Sequence, residues 1–132
     1  YMNAKELIET DFEILTPELT LGQLIYYIAR SKRDLFPVVD EDGILKGMIK
    51  MNDIRNIMFE QELYEKITVQ ELMYMPEFFI SPNDSIEVIV EKFKSCGRYN
   101  LAVIDDGKYV GFISRARVFS AYRDTMADLS YD

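Results

Sequence analysis

Histidine is absent from this 132-residue chain. That removes Ser-His-Asp and Cys-His nucleophile systems, His-ligated zinc and the commonest general base together. Cysteine is nearly absent: Cys96 stands alone, so neither an internal disulfide nor a thiolate zinc cluster is available. One Cys beside seven Met fits a reducing interior, and Cys96 reads as a small filler at a helix end. No apolar run approaches the roughly 18 residues that span a bilayer, and the polar, acidic start from Tyr1 to Asp11 lacks the pattern of a signal peptide. The piece is therefore expected to be soluble, and its opening on Tyr1 is read as a cut from a longer chain. Basic blocks are missing too. Fifteen Lys and Arg stand against 23 Asp and Glu, a net charge of −8 that runs through both halves. Such a field repels phosphate backbones and argues against general nucleic-acid binding or a polybasic membrane patch.

What is present is a repeat. Hydrophobic residues make up 48% of the chain, enough for a real core, and they recur at a fixed distance. Ile14-Leu15-Thr16-Pro17 falls on Phe79-Ile80-Ser81-Pro82 at an offset of 65 residues. At the same offset Leu24-Ile25 falls on Ile89-Val90, and Phe36-Pro37-Val38-Val39-Asp40 on Leu101-Ala102-Val103-Ile104-Asp105. One residue is lost in the next turn, and at offset 64 Gly47-Met48-Ile49 falls on Gly111-Phe112-Ile113. Two tandem units of about 60 residues follow, assigned to 1–66 and 67–132.

Each unit reads β-α-β-β-α. A short strand (Phe12–Leu15, Phe78–Ile80) ends at a Thr-Pro or Ser-Pro turn. Thr20 and Ser85 then cap helices whose apolar stripes are Leu21, Leu24, Ile25, Ile28 and Ile86, Ile89, Val90, Phe93. Phe36–Asp40 with Ile44–Ile49, and Leu101–Asp105 with Tyr109–Ile113, form hairpins around Gly-assisted turns. Second helices cover Asn52–Phe59 and Arg115–Tyr122. Asn3–Thr10 reads as an N-terminal helix, Gln61–Met75 as a helical linker with Thr68 as a cap, and Ala127–Asp132 as a polar, frayed tail. The fold class is α+β: a unit this small leaves one sheet face apolar, so two copies would bury sheet against sheet with pseudo-two-fold symmetry.

Phe36-Pro37-Val38-Val39-Asp40-Glu41-Asp42-Gly43, followed by Gly47-Met48-Ile49-Lys50-Met51-Asn52-Asp53, resembles a CBS (cystathionine-β-synthase-type) domain. Leu101–Gly107 with Gly111–Arg117 is similar to the same motif, so about 110 residues resemble a CBS pair, or Bateman module. The resemblance implies a regulatory attachment that binds adenosine nucleotides between its units. A narrower likeness, carried by Asp53–Phe59, Phe36–Asp40 and Gly107–Phe119, is to the cytoplasmic C-terminal tail of bacterial CLC-type chloride channels and chloride/proton antiporters.

The family's ligand pattern is a small hydroxyl residue, two spacers and an Asp where a strand enters a helix. The carboxylate accepts the ribose hydroxyls, and the helix N-terminus faces phosphate. Each unit keeps half of it: the first has Asp53 with Lys50 in the hydroxyl position, and the second has Ser114 with Arg117 in place of the Asp. Arg117 cannot accept a ribose hydrogen bond. The resemblance places Thr16, Phe36 and Asp53 along one cleft and Ser81, Tyr99 and Ser114 along the other, with Lys50, Arg115 and Arg117 able to reach phosphates of ATP, ADP or AMP. The same residues have plain readings: Lys50 and Arg117 as solvated charges, Asp53 as a dipole-favoured helix start, Ser114 as a cap, Tyr99 as a half-buried rim residue.

The acidic groups Glu60, Glu62, Glu65 and Asp105, Asp106 read as solvated surface, the glycines as turn formers, and no metal site is expected. The combined expectation is a non-enzymatic regulatory module at the cytoplasmic face of the plasma membrane. Its partner is the transmembrane chloride-transport domain of the same chain, and it forms a homodimer through Met58, Phe59, Phe119 and Tyr122. Two alternatives stand beside it: a nucleotide sensor on another host, such as a metal-ion efflux protein or an enzyme, and a purely structural dimerisation tail.

Overall fold

The computed structural model describes residues 4–130, with 128–130 described by backbone alone. The chain forms two compact units, Phe12–Pro76 and, separately, Tyr1–Asp11 with Glu77–Asp132. By packing, the N-terminal segment goes with the residues of the second repeat, and 67–76 with those of the first.

In the first unit, helix α1 (Leu21–Arg30) starts at a capping box, with Thr20 Oγ1 accepting from the Gln23 N–H at 3.2 Å and Gln23 Oε1 accepting from the Thr20 N–H at 2.9 Å. Its buried stripe is Leu21, Leu24 and Ile28. Strands β1 (Leu35–Val39) and β2 (Leu45–Lys50) pair antiparallel from Leu35↔Lys50 to Val39↔Leu45, with a bulge after Val38. Their turn is tied by Asp40 Oδ1, which accepts from the N–H of Asp42 at 2.9 Å and of Ile44 at 3.0 Å, and Gly43 supplies the positive φ of 84°. The expected strand Phe12–Leu15 contracts to one parallel bridge, Leu15↔Val38. Helix α2 (Met51–Ile54) is four residues long, where Asn52–Phe59 was expected. Lys50 makes no side-chain cap bond, two Asn weaken the run, and the Met58 carbonyl accepts from the Tyr64 hydroxyl instead of continuing a helix. The linker is a 3-10 turn at Gln61–Leu63 and a short helix α3 (Val69–Leu72), which Thr68 begins without a side-chain cap bond. Its first part closes over α1, with Tyr64 and Ile67 carbonyls accepting from Gly22 at 3.1 Å and Leu21 at 2.8 Å.

The second unit has a three-stranded sheet in the order β3-β4-β5, from Phe79–Ile80, Asn100–Asp105 and Lys108–Ser114, with β3 parallel to β4. Helix α4 (Ile86–Cys96) is capped by Ser85 Oγ on the Val88 N–H at 3.3 Å and ends at Gly97 in the left-handed conformation. The β4–β5 turn places Asp106 and Gly107 at φ 53° and 82°, the pair of positive angles that a two-residue hairpin of this twist requires. Helix α5 (Arg115–Ser130) runs well beyond the expected Tyr122, so the stretch expected to fray is helical through Ser130; Tyr131 and Asp132 lie outside the described residues.

The expected N-terminal helix is also replaced. After a 3-10 turn at Ala4–Glu6, Glu9 pairs with Phe112 on the free edge of β5 through two hydrogen bonds of 2.7 and 2.9 Å. Asn3 lies outside the described residues. Ala4 and Leu7 are buried in the same core as Ile89, Phe93, Ile113 and Val118. The first unit closes its β2 edge in the same way, with Met48 paired to Tyr74. Gly111 is what lets the N-terminal segment in, because a Cβ there would stand 2.6 Å from the Glu9 carbonyl oxygen.

Gly111→Ala is therefore expected to cost about 1–3 kcal/mol in urea unfolding, the usual penalty of overpacking a site that cannot give way. The Asp40 carboxyl is held below the usual carboxylate range, first by the Ile44 N–H and then by the Asp42 N–H and Lys46 against desolvation. Its ionised form favours the fold above about pH 4, and that contribution is lost as pH falls through the lowered value. Asp40→Asn is expected to lower the unfolding midpoint at pH 7 and to narrow the gap to wild type at pH 3.

Candidate functional site

The two strand-to-helix junctions stand at the open ends of the hairpins. In the first unit Lys50 ends β2 with its ammonium 4.8 Å from the Tyr74 ring centroid, and the next N–H, of Met51, donates to the Asp34 carbonyl at 2.8 Å. Asp53 is exposed in the first turn of α2. Thr16 is exposed too, but the parallel Leu15↔Val38 bridge sets it beside the far end of β1. At about 3.3 Å per residue, the length of β1 separates it from the Lys50–Asp53 junction within this unit. Phe36 corrects the expectation directly. It is 0% exposed in the core with Leu15, Leu21 and Ile49, so it packs the unit and lines no cleft.

The second unit gathers more. Ser114 ends β5, and its Oγ accepts from the Arg117 N–H at 3.2 Å, so the cap reading holds. The Arg115 N–H donates to the Tyr99 carbonyl at 2.8 Å. Its guanidinium donates to the Phe93 carbonyl at 3.0 Å and lies 5.0 Å from the Phe119 ring centroid. Arg115 thus clamps the end of α4 to the start of α5. Tyr99 is 79% exposed, a projecting ring and not the half-buried one expected. Arg117 is exposed and, among the described residues, meets no carboxylate. Ser81 lies elsewhere: the Phe79↔Ala102 and Ile80↔Val103 pairs carry it toward the turn end of the hairpin. There its N–H donates to Asp84 Oδ2 at 2.9 Å, and its Oγ accepts from the Asn83 N–H at 3.3 Å.

Sequence reading missed two features here. Lys92 bridges Asp84 Oδ2 at 2.8 Å and the Phe79 carbonyl at 2.7 Å, fastening α4 to the edge strand; no local pattern announces a pair eight residues apart. Arg98, exposed beside Tyr99, was also passed over, although the 65-residue offset sets it against Arg33. Cys96 is half-buried at the end of α4 with the Arg98 N–H 3.5 Å from its Sγ, as a filler would be. Among the described residues no group of His, Cys, Asp and Glu could hold a metal ion, and no helix is long and apolar enough to cross a membrane.

Residues 4–60 and 69–124 match the CBS domain family. The chain belongs to the CBS-domain family, as a tandem pair. A comparison with curated protein sequences finds no match. Solved structures agree on the fold. A CBS domain pair/ACT domain protein from Thermotoga maritima is 19% identical with a TM-score of 0.75, covering 94% of this chain and 98% of that one. CBSX2 in complex with AMP is 19% identical with a TM-score of 0.77, covering 96% and 99%. The CBS domain of a bacterial CNNM/CorC family Mg²⁺ transporter in complex with ATP is 18% identical with a TM-score of 0.76, covering 89% and 84%.

Of the four apolar residues expected at a dimer contact, Phe59 is 84% exposed, Met58 is half-buried, and Phe119 and Tyr122 are half-buried against the core of the second CBS unit. The junction of that unit separates structure from free surface by one residue. Arg115→Ala is expected to destabilise the CBS pair by about 1.5–3 kcal/mol, the range for a hydrogen bond to a charged group. Arg117→Ala is expected to stay within about 0.5 kcal/mol of wild type in the same urea titration.

Proposed function

We propose that this CBS pair is a regulatory module of an ion-transport protein of the CLC chloride channel or chloride/proton antiporter type, with an adenine nucleotide as effector. Coupling and not catalysis is its role, at the cytoplasmic face of the membrane beside the transmembrane chloride-transport domain of the same chain. The observation that carries the reading is the β5–α5 segment. Gly107–Phe119 resembles the CLC tail in sequence, and it forms the junction beside which the Tyr99 ring is exposed and the Arg117 guanidinium meets no carboxylate among the described residues. Asp53 supports an effector from the first unit, since an exposed carboxylate at a helix start can accept ribose hydroxyls. The AMP and ATP complexes of similarly folded CBS proteins are in keeping with this choice. Exposed Phe59, with Met58, Phe119 and Tyr122, supplies the apolar contact of a homodimer. An effector acts only through different affinities for two states of the module, and such couplings are about 1–3 kcal/mol. The Mg²⁺ transporter among the structural neighbours makes a cation-transport host the second reading.

Thermal unfolding against ATP, ADP and AMP, with and without Mg²⁺, tests the effector. A nucleotide at about 100 times its dissociation constant is expected to stabilise the chain by about 2.7 kcal/mol, and Asp53→Ala to reduce the shift. No shift at millimolar nucleotide would leave a dimerising tail without a small ligand. Nucleotide-dependent chloride flux by the intact host in liposomes is expected for the CLC reading, and Mg²⁺ flux for its rival.

A further inference from the structure

The internal repeat extends to the segments that cover each unit, and there the two units differ. In the first unit the chain after Glu60 crosses the start of α1: the Leu21 N–H donates to the Ile67 carbonyl at 2.8 Å and the Gly22 N–H to the Tyr64 carbonyl at 3.1 Å. Tyr64 lies so close that a Cβ on Gly22 would stand 3.2 Å from its own. The same path continues with the Val69 N–H donating to the Leu19 carbonyl at 2.8 Å and with Tyr74 paired to Met48 on the sheet edge. The second unit repeats this later half. Its Ala4 N–H donates to the Asp84 carbonyl at 3.4 Å and Glu9 pairs with Phe112. The 65-residue offset sets Ala4 on Val69, Glu9 on Tyr74 and Leu19 on Asp84.

The earlier half has no counterpart among the described residues, where no backbone carbonyl accepts from the Ile86 or Glu87 N–H, the equivalents of Leu21 and Gly22. Carried back by the same offset, Tyr64 falls two residues upstream of Tyr1, so the chain that would cross this surface is the stretch leading into Ala4. The surface is shaped to receive one. A groove of about 360 Å³ begins at Glu87 and follows the outer face of α4 past Val88, Glu91, Lys92 and Ser95, with Phe78 as its other wall. Val88 is 44% exposed on its floor. Lys92 is held by Asp84 and the Phe79 carbonyl. Glu87 is exposed, and Glu91 meets Lys94 only at 3.9 Å, between two exposed side chains. Where the first unit has Gly22 to take an aromatic ring, the second has a carboxylate, which suits a Lys or Arg whose stem lies over Val88.

We propose that the first turn of α4 and the groove beyond it are the docking surface for the host segment that leads into Ala4, a segment that places a Lys or Arg opposite Glu87 and Glu91. This rests on the reading of the chain as the cytoplasmic part of a longer transport protein, since the cytoplasmic stretches next to membrane spans carry an excess of Lys and Arg. The docked segment ties the transmembrane part to the second unit, because the chain that follows it enters that unit's core through Ala4 and Leu7.

Cysteine chemistry in the intact host, with Cys96→Ala and the host's other cysteines replaced, tests the docking. A cysteine placed two residues upstream of Tyr1 is expected to form a disulfide with Glu87→Cys on mild oxidation, and none with Lys108→Cys at the acidic turn. Maleimide should label Val88→Cys about tenfold more slowly in the intact host than in the 132-residue chain. Glu87→Lys with Glu91→Lys should speed the host's labelling about two- to fivefold, the worth of exposed ion pairs. Equal labelling in host and isolated chain, no disulfide at Glu87→Cys, or protection indifferent to the charge reversals would overturn the docking. So would labelling of the isolated chain that slows as its concentration rises, which would assign the groove to a second copy. Neither readout involves nucleotide or chloride. A disulfide in a host that moves another ion keeps the surface and sinks the chloride reading, and its absence in a chloride-transporting host sinks the surface alone.

Discussion

The register of the two hairpins is the constraint on which the rest depends. Leu35↔Lys50 and Asn100↔Ser114 close the open ends, and those pairs decide which residue stands where strand turns into helix. Because side chains alternate, a slip of one residue would turn Ile49 and Ile113 out of the cores they share with Leu24 and Ile89. Buried Phe36, Val38 and Ile49 in one unit, and Leu101, Val103 and Ile113 in the other, hold the register from within. Asp40 and the positive-φ pair Asp106-Gly107 hold it at the turns. The edge pairs at Tyr74 and Glu9 then complete each sheet, with glycine where the added strand comes closest.

On that common frame the two units diverge in chemistry. Residues that fix the fold are conserved in kind across the internal repeat: caps at Thr20 and Ser85, apolar stripes, tight turns. Residues at the open ends are not, and they change in charge, from balanced in the first unit to wholly basic in the second. A duplicated scaffold can vary these exposed positions at little cost in stability, since surface changes away from caps and buried partners usually matter by less than about 0.5 kcal/mol. Arg115 shows the limit, because its guanidinium supports the Phe93 carbonyl as well as carrying charge. Two similar CBS units can therefore present different ligand preferences.

Much of this was legible in the chain, through the repeat. Capped helices α1 and α4 announce themselves by local spacing, and the hairpins by β-branched runs around Gly turns. Features without a local signal were not. The Glu9–Phe112 pair joins residues about a hundred positions apart, and a one-residue bridge carries no period. Phe36 was misplaced because β1 is buried on both faces from Phe36 to Val39, so alternation cannot say which side faces a cleft. Helix α2 was overextended because its apolar stripe continues past Ile54 while the chain, held by Tyr64 at Met58, does not. At the second junction the Ser114 cap was legible, but the role of Arg115 was not: a cation able to reach phosphate is held by the Phe93 carbonyl, 22 residues away in sequence.

The central claim is that equivalent positions in the two units serve ligand binding unequally. Amide hydrogen exchange of the whole chain, with and without ATP, tests it most directly because every unit reports in one sample. The account predicts slower exchange at residues 98–99 and 114–117, exceeding any change at 33–34 and 50–53. Equal protection at both junctions, or protection confined to the first, would contradict it.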